Sequence, residues 1–165
     1  MFTMPVTLSL PENQLAIRRA ADRFCALSGW SVLHEMALAN GRRADILALR
    51  PDGGFVCIEV KSGPRDFLLD VKWPDYRDYC DELYFAVDTD FPAGLIPESA
   101  GLIVACTRDN HPEPAELVRP ALPHPLPAPR RRALTHRFAM AAAQRLALLE
   151  DPAITASLRA ALRVE

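Results

Sequence analysis

The sequence predicts an α/β domain, a mixed β-sheet flanked by helices. Three observations carry this. The elements fall in the order helix, three strands, helix, strand, strand, helices. Two turn signals, Ala39-Asn40-Gly41 and Pro51-Asp52-Gly53, join the first three strands as a meander. Two later runs, residues 83–87 and 101–106, are apolar on both faces, as strands inside a covered sheet are.

Ser9-Leu10-Pro11-Glu12 fits a capping box, with Ser9 at the N-cap and a proline in the first turn. Leu15, Ile17, Ala20, Ala21, Phe24 and Leu27 follow at helical spacing, and Gly29 supplies the stop. The opposite face carries Arg18, Arg19, Asp22 and Arg23, which suits a solvated face or a phosphate-binding one. Residues 30–38 alternate loosely as a first strand, and residues 43–50 form a second. The third, Phe55-Val56-Cys57-Ile58-Glu59-Val60-Lys61-Ser62-Gly63, is rich in β-branched and aromatic residues and closed by glycine.

Residues 64–83 read as helical, with Phe67, Leu68, Val71, Tyr79, Cys80 and Leu83 on the apolar side. Proline inside a helix costs about 3 kcal/mol. One helix kinked at Pro74 and two short helices meeting near Trp73-Pro74 therefore both fit. Seven prolines between His111 and Pro129 exclude a helix or central strand there and predict an extended connection, with a little strand around Leu117-Val118. Arg130-Arg131-Arg132 then fits a solvated turn or a nucleic-acid contact. A helix follows from about residue 133 to 150, and Asp151-Pro152 opens a last one to about residue 163. The expected organisation is a single domain over 1–165, with its core at about 9–107, the proline-rich connection at 111–129 and C-terminal helices at 133–163.

A chain of 165 residues, 50% hydrophobic and 24% charged, is large enough to form a core without disulfides or a structural metal. Its four cysteines show no C-x-x-C pair, and three lie within apolar patterns, so reduced core thiols are expected. No apolar run is long enough to span a bilayer and the first residues carry no basic segment, which predicts a cytoplasmic protein without membrane contact. A formal charge of −2 excludes a generally basic nucleic-acid coat, so any DNA contact must use a local patch.

The chemistry lies in the hairpin register. A three-residue loop at Pro51-Asp52-Gly53 pairs Arg50 with Gly54, Leu49 with Phe55, Leu47 with Cys57 and Asp45 with Glu59. It also sets Ala44 opposite Val60 and Arg43 opposite Lys61. Directly paired residues share a face, with Cβ atoms about 4.5–5.5 Å apart. Opposed carboxylates are tolerated where one is protonated or a cation lies between them. Their oxygens, with the Val60 backbone carbonyl and waters, suit a hard ion, Mg²⁺ or Mn²⁺. Asp45, Glu59 and Lys61 then form a phosphodiester-hydrolysis set in which Lys61 stabilises developing negative charge. A salt-bridge cluster of Asp45, Glu59, Lys61 and Arg43 fits the register equally.

Asp45, followed after a hairpin by Ile58-Glu59-Val60-Lys61, resembles the D-x(n)-(D/E)-x-K signature of the PD-(D/E)xK nuclease superfamily. More narrowly, Gly41-Arg42-Arg43-Ala44-Asp45-Ile46, Glu59-Val60-Lys61-Ser62 and the run from Asp66-Phe67-Leu68-Leu69-Asp70 through Lys72-Trp73-Pro74-Asp75-Tyr76 to Asp81 resemble the MmcB family of bacterial DNA repair proteins, over roughly residues 12–150. The resemblance implies a restriction-endonuclease-like core in αβββαβ order. It also implies that Asp45 and Glu59 are metal ligands and that Lys61 is the catalytic lysine. Superfamily members often carry an acid in the first helix; Glu12 suits that role and helix capping alike. Glu35 is either a further ligand or an exposed strand glutamate. Ala44 stands where the superfamily name has proline.

Lys72, Arg77 and Arg43 are candidates to grip DNA phosphates, and Trp73 or Tyr76 to stack on a base, although such aromatics at helical spacing also fit a core. Asp66 and Asp70, one helical turn apart, are placed to orient Lys61 or Arg43. The expected protein is an Mg²⁺- or Mn²⁺-dependent deoxyribonuclease of DNA repair, with DNA, other repair proteins or a second copy as partners. The alternative is an inactive nuclease-fold adaptor that binds DNA and recruits repair partners.

Overall fold

The computed structural model describes residues 10–108, 113–154, 157 and 160. Its contacts group into two compact units, Met1–Leu126 and Pro127–Glu165. The first unit contains helix α1 (Leu10–Leu27) and strands β1 (Ser31–Ala37), β2 (Arg43–Leu49) and β3 (Phe55–Val60). After them come the short helix α2 (Pro64–Leu69), a 3₁₀-helix (Trp73–Tyr79), β4 (Glu82–Asp88), β5 (Gly101–Ala105) and β6 (Glu116–Arg119). The second unit contains helix α3 (Ala128–Glu150), in which Leu134 and Phe138 are buried. The predicted Ser9 cap, and most of the predicted helix after Asp151, lie outside the described residues. Among the described residues no helix is long and apolar enough to cross a membrane.

One six-stranded sheet runs in sequence order from β1 to β6. The β1–β2, β2–β3 and β5–β6 pairs are antiparallel, and β3–β4 and β4–β5 are parallel. The parallel strands need crossovers, which residues between β3 and β4 and between β4 and β5 supply. Gly41 and Gly53 close the two hairpins at φ +80° and +84°, where an L side chain is strained. The predicted hairpin register holds over Leu49–Phe55 and Leu47–Cys57.

Strand alternation divides the core into two layers. Ile17, Ala20, Ala21 and Cys25 of α1 cluster with Ile46, Ala48, Val56, Ile58, Val60 and Ala86. On the opposite face Phe67 and Trp73 pack edge-on to Phe85, at 5.2 and 5.6 Å between ring centroids. Cys25, Cys57 and Cys80 are buried free thiols, whereas Cys106 is exposed.

Of the two forms expected for the stretch after β3, two short helical pieces are found, the second starting at Trp73, since Asp70 adopts extended geometry and breaks the helical period. Three expectations about the helical segments need correction. Leu68 and Val71 consequently lie outside the core, at 63% and 81% exposure. Helix α3 begins at Ala128, ahead of the predicted start, because Pro129 occupies the first turn, where its missing N–H costs nothing. Arg130, Arg131 and Arg132 are therefore helical, not a turn.

A candidate acid and lysine site at the β2–β3 end

The β2–β3 ladder ends at the pair Ile46–Ile58. The next residues in that register are Asp45 and Glu59, and side chains replace the backbone ladder there. The Asp45 N–H donates to Glu59 Oε1 at 3.2 Å, and the Val60 N–H donates to Asp45 Oδ2 at 2.8 Å. The expected pairs Ala44–Val60 and Arg43–Lys61 are not part of this ladder; Ala44 and Arg43 pair instead with Met36 and Ala37 of β1. Glu35 falls between the β1–β2 pairs His34–Ile46 and Met36–Ala44, which sets it opposite Asp45. Three acids thus occupy successive positions across three strands.

Burial governs their charge. Glu59 is 3% exposed, and burial, followed by repulsion from Asp45, pushes its carboxyl up to about 9. Burial likewise raises Asp45, with Glu35 and Asp66 adding repulsion and the Val60 N–H and Lys61 opposing it. Such a pair resists simultaneous ionisation unless positive charge arrives.

Lys61 is 5% exposed, and its Nζ lies 2.6 Å from Asp70 Oδ2. Burial opposes the ammonium, but the hydrogen bond and charge of Asp70, with Glu59 and Asp66, hold its pKa above the ordinary lysine value. Burial works against the Asp70 carboxylate too, yet Lys61 and the Lys72 N–H bring its pKa below the usual range. Asp66 instead accepts from the Ser62 N–H at 3.1 Å, which secures the turn from β3 into α2.

A cavity of about 170 Å³ opens beside the acids, lined by Gln14, Leu15 and Arg18 of α1 and by Glu35, Asp45 and Val60 of the sheet. Glu35 has a positive φ of 51°, a conformation that costs a non-glycine residue of order 1–3 kcal/mol, and its carboxylate lies 2.6 Å from the Arg43 guanidinium. The Arg18 Nε is buried without a hydrogen-bond partner. Leaving a buried donor unmade costs about 1–3 kcal/mol. Helical periodicity puts Arg18 on the polar face of its helix and does not by itself single out Gln14. Their separation of four residues, which stacks them on one face beside Leu15, is the signal that would have linked them.

The remaining candidates divide. Glu12 is exposed and does not line the cavity. Tyr76 is 8% exposed, and its hydroxyl donates to the Arg43 carbonyl at 2.9 Å, so its ring belongs to the core and is not available to stack on a base. Trp73 packs against Phe85, with the Arg77 guanidinium 5.5 Å from its ring centre. Arg77 also donates to the Ser99 hydroxyl. Lys72 is exposed.

As donors, Asp45 and Glu59 suit a hard divalent cation, and their raised carboxyls are groups that such an ion would drive to ionise. Among the described residues no three His, Cys, Asp or Glu side chains are gathered to hold a metal.

No curated protein matches the chain. Its fold is similar to that of a solved protein of unknown function from Silicibacter pomeroyi, with a TM-score of 0.78 and 36% identity over 89% of this chain and 95% of that one. The family described as DNA repair protein MmcB-like matches residues 4–153. The chain therefore belongs to the MmcB-like DNA repair protein family.

Proposed function

We propose that this chain acts in DNA repair through a metal-dependent phosphodiesterase site of the PD-(D/E)xK type. The observation that carries the reading is the pairing of half-buried Asp45 with buried Glu59, carboxylates cross-tied to each other's strand beside a buried lysine. In this reading Asp45, Glu59 and the Val60 carbonyl hold Mg²⁺ or Mn²⁺. When bound, the ion polarises a phosphoryl oxygen and lowers the pKa of its water. Lys61 holds positive charge beside the phosphate as negative charge develops there. Asp70 keeps Lys61 protonated and fixes its direction. Lys72 is exposed on the segment after α2 and in this reading contacts a phosphate. With a net charge of −2, a second copy or a repair partner would share the grip on duplex DNA.

The test is incubation of purified protein with nicked, flapped, single-stranded and duplex DNA in Mg²⁺ or Mn²⁺. Cleavage lost in Glu59→Ala and in Lys61→Ala is the expected result. No cleavage of any substrate, or cleavage indifferent to both changes, overturns the reading.

One observation favours a second reading, an inactive DNA-binding adaptor. Each carboxylate already accepts a backbone N–H, and among the described residues no three His, Cys, Asp or Glu side chains are gathered to hold a metal. Calorimetry with Mn²⁺ separates the two. Binding abolished by Asp45→Ala supports the enzyme, whereas DNA binding without metal binding supports the adaptor.

A further inference from the structure

We propose that Arg18, with Gln14 one helical turn before it, forms a phosphate-binding wall of the acid cavity and takes a backbone phosphate of the DNA strand presented to Asp45 and Glu59. The inference rests on the reading of this cavity as a phosphodiester site.

Charge and pairing single out Arg18. Two other cations near the acids are committed: Lys61 lies 2.6 Å from Asp70 and Arg43 lies 2.6 Å from Glu35. Arg18 lines the same cavity as Asp45 and Glu35, yet it forms no ion pair with either. Its Nε is buried with no hydrogen-bond partner. The Arg18 guanidinium thus has one donor without a hydrogen-bond partner, on a side chain that lines the cavity. Its planar fork fits two oxygens of one phosphate.

Gln14 lies on the same helix face, lines the same cavity and is solvent-exposed, so its amide is a second donor open to a ligand. The volume of about 170 Å³ is over ten times the roughly 10–15 Å³ that one water needs, which leaves room for a phosphate group. An acid pair alone repels a phosphodiester, and a cation on the facing helix offsets that repulsion. The alternative role for Arg18 is to balance the charge of Asp45 and Glu59 with no part in DNA binding.

The experiment measures binding of short labelled single-stranded and duplex oligonucleotides by anisotropy, in EDTA so that nothing is cleaved, across a salt series. Arg18→Ala is expected to weaken binding about tenfold at low salt and to reduce the slope of log K against log salt by about one phosphate contact. Arg18→Lys should keep the slope and lose part of the affinity, because the point charge remains and the fork is gone. Gln14→Ala, at a solvent-exposed position, should weaken binding with the slope unchanged.

Wild-type affinity and slope in the Arg18 variants overturn the proposal, as does a wild-type chain that binds no DNA at low salt. So does an Arg18→Ala change in Mn²⁺ affinity with DNA binding intact, which assigns the charge-balancing role. Should Arg18→Ala fail to fold, Arg18→Lys and Gln14→Ala decide, and unchanged affinity in both overturns it. The proposed phosphodiesterase is tested apart from this. DNA bound through Arg18 but never cleaved in Mn²⁺ removes the enzyme reading and keeps the phosphate wall. Cleavage with Arg18 irrelevant to binding does the reverse.

Discussion

Lys61 and Asp70 form a closed ion pair across nine residues, with Nζ 2.6 Å from Oδ2 and side chains only 7% and 18% exposed. Breaking one side of a buried pair leaves the other charge uncompensated, at a cost of about 3–5 kcal/mol. Asp70→Asn should therefore lose about 3 kcal/mol of stability in urea denaturation at neutral pH. The Asp70 pKa is depressed, so its contribution is present above the ordinary carboxylate range and lost as pH falls through the folded value. The gap between wild type and Asp70→Asn should accordingly shrink in acid. A gap that stays constant down to acid pH would assign the loss to packing.

Glu59 titrates with the opposite sign. Its folded value of about 9 exceeds the ordinary 4.5, so between these limits the folded chain keeps a proton that the unfolded chain releases. Stability is thus fully present below the ordinary value and falls as pH rises through the window. Melting temperatures in EDTA should decline from about pH 5 to about pH 9, and Glu59→Gln should flatten that decline and melt higher at the alkaline end. Parallel wild-type and Glu59→Gln curves would show that Glu59 ionises normally.

Asp81 is a buried staple at the start of β4. Its two carboxylate oxygens accept the Phe55 N–H at 2.7 Å and the Leu126 N–H at 2.8 Å, joining the mouth of β3 to the end of the proline-rich segment. Its backbone N–H also donates to the Phe55 carbonyl and its carbonyl accepts from the His124 N–H. Hydrogen bonds to a charged group contribute about 1.5–3 kcal/mol each, so Asp81→Ala should lose about 3–5 kcal/mol in denaturant titration. A loss under about 1 kcal/mol would mean that water replaces both bonds.

Gly101 on β5 faces Tyr84 on β4, and a Cβ there would run into the Tyr84 ring. That ring is buried and its hydroxyl donates to Glu82 at 3.0 Å, so it has little freedom to withdraw. Overpacking of this kind costs about 1–3 kcal/mol, the loss expected for Gly101→Ala. Combining Gly101→Ala with Tyr84→Leu should cost less than the two single changes summed; strict additivity would show that the ring and the new methyl never met.

Much of the sheet was legible residue by residue. Asn40-Gly41 and Asp52-Gly53 are turn chemistry acting over a few residues, so both hairpins and the Leu47–Cys57 register follow from local rules. The same register sets Asp45 and Glu59 side by side without reference to packing. Local rules also miscounted where tertiary packing competes with period. Val71 has the spacing of a core residue, yet the chain leaves the helix at Asp70 and turns it outward. By spacing Tyr76 fits base stacking and the core alike, and its hydroxyl on the Arg43 carbonyl ties it to the core.

By itself, then, the sequence determined the element types, the hairpin register, the acid–lysine motif and the resemblance to the DNA repair family, because each is written in residues close along the chain. The tertiary structure decided which partners those side chains acquire. Asp70 rather than Asp66 holds Lys61, Asp81 ties segments 26 and 45 residues away, and Arg18 meets the acid cavity with its Nε unmatched. Those outcomes depend on how α1, the segment after β3 and the proline-rich stretch pack on the sheet. Pairing across such distances is set by burial and geometry, which no local periodicity encodes.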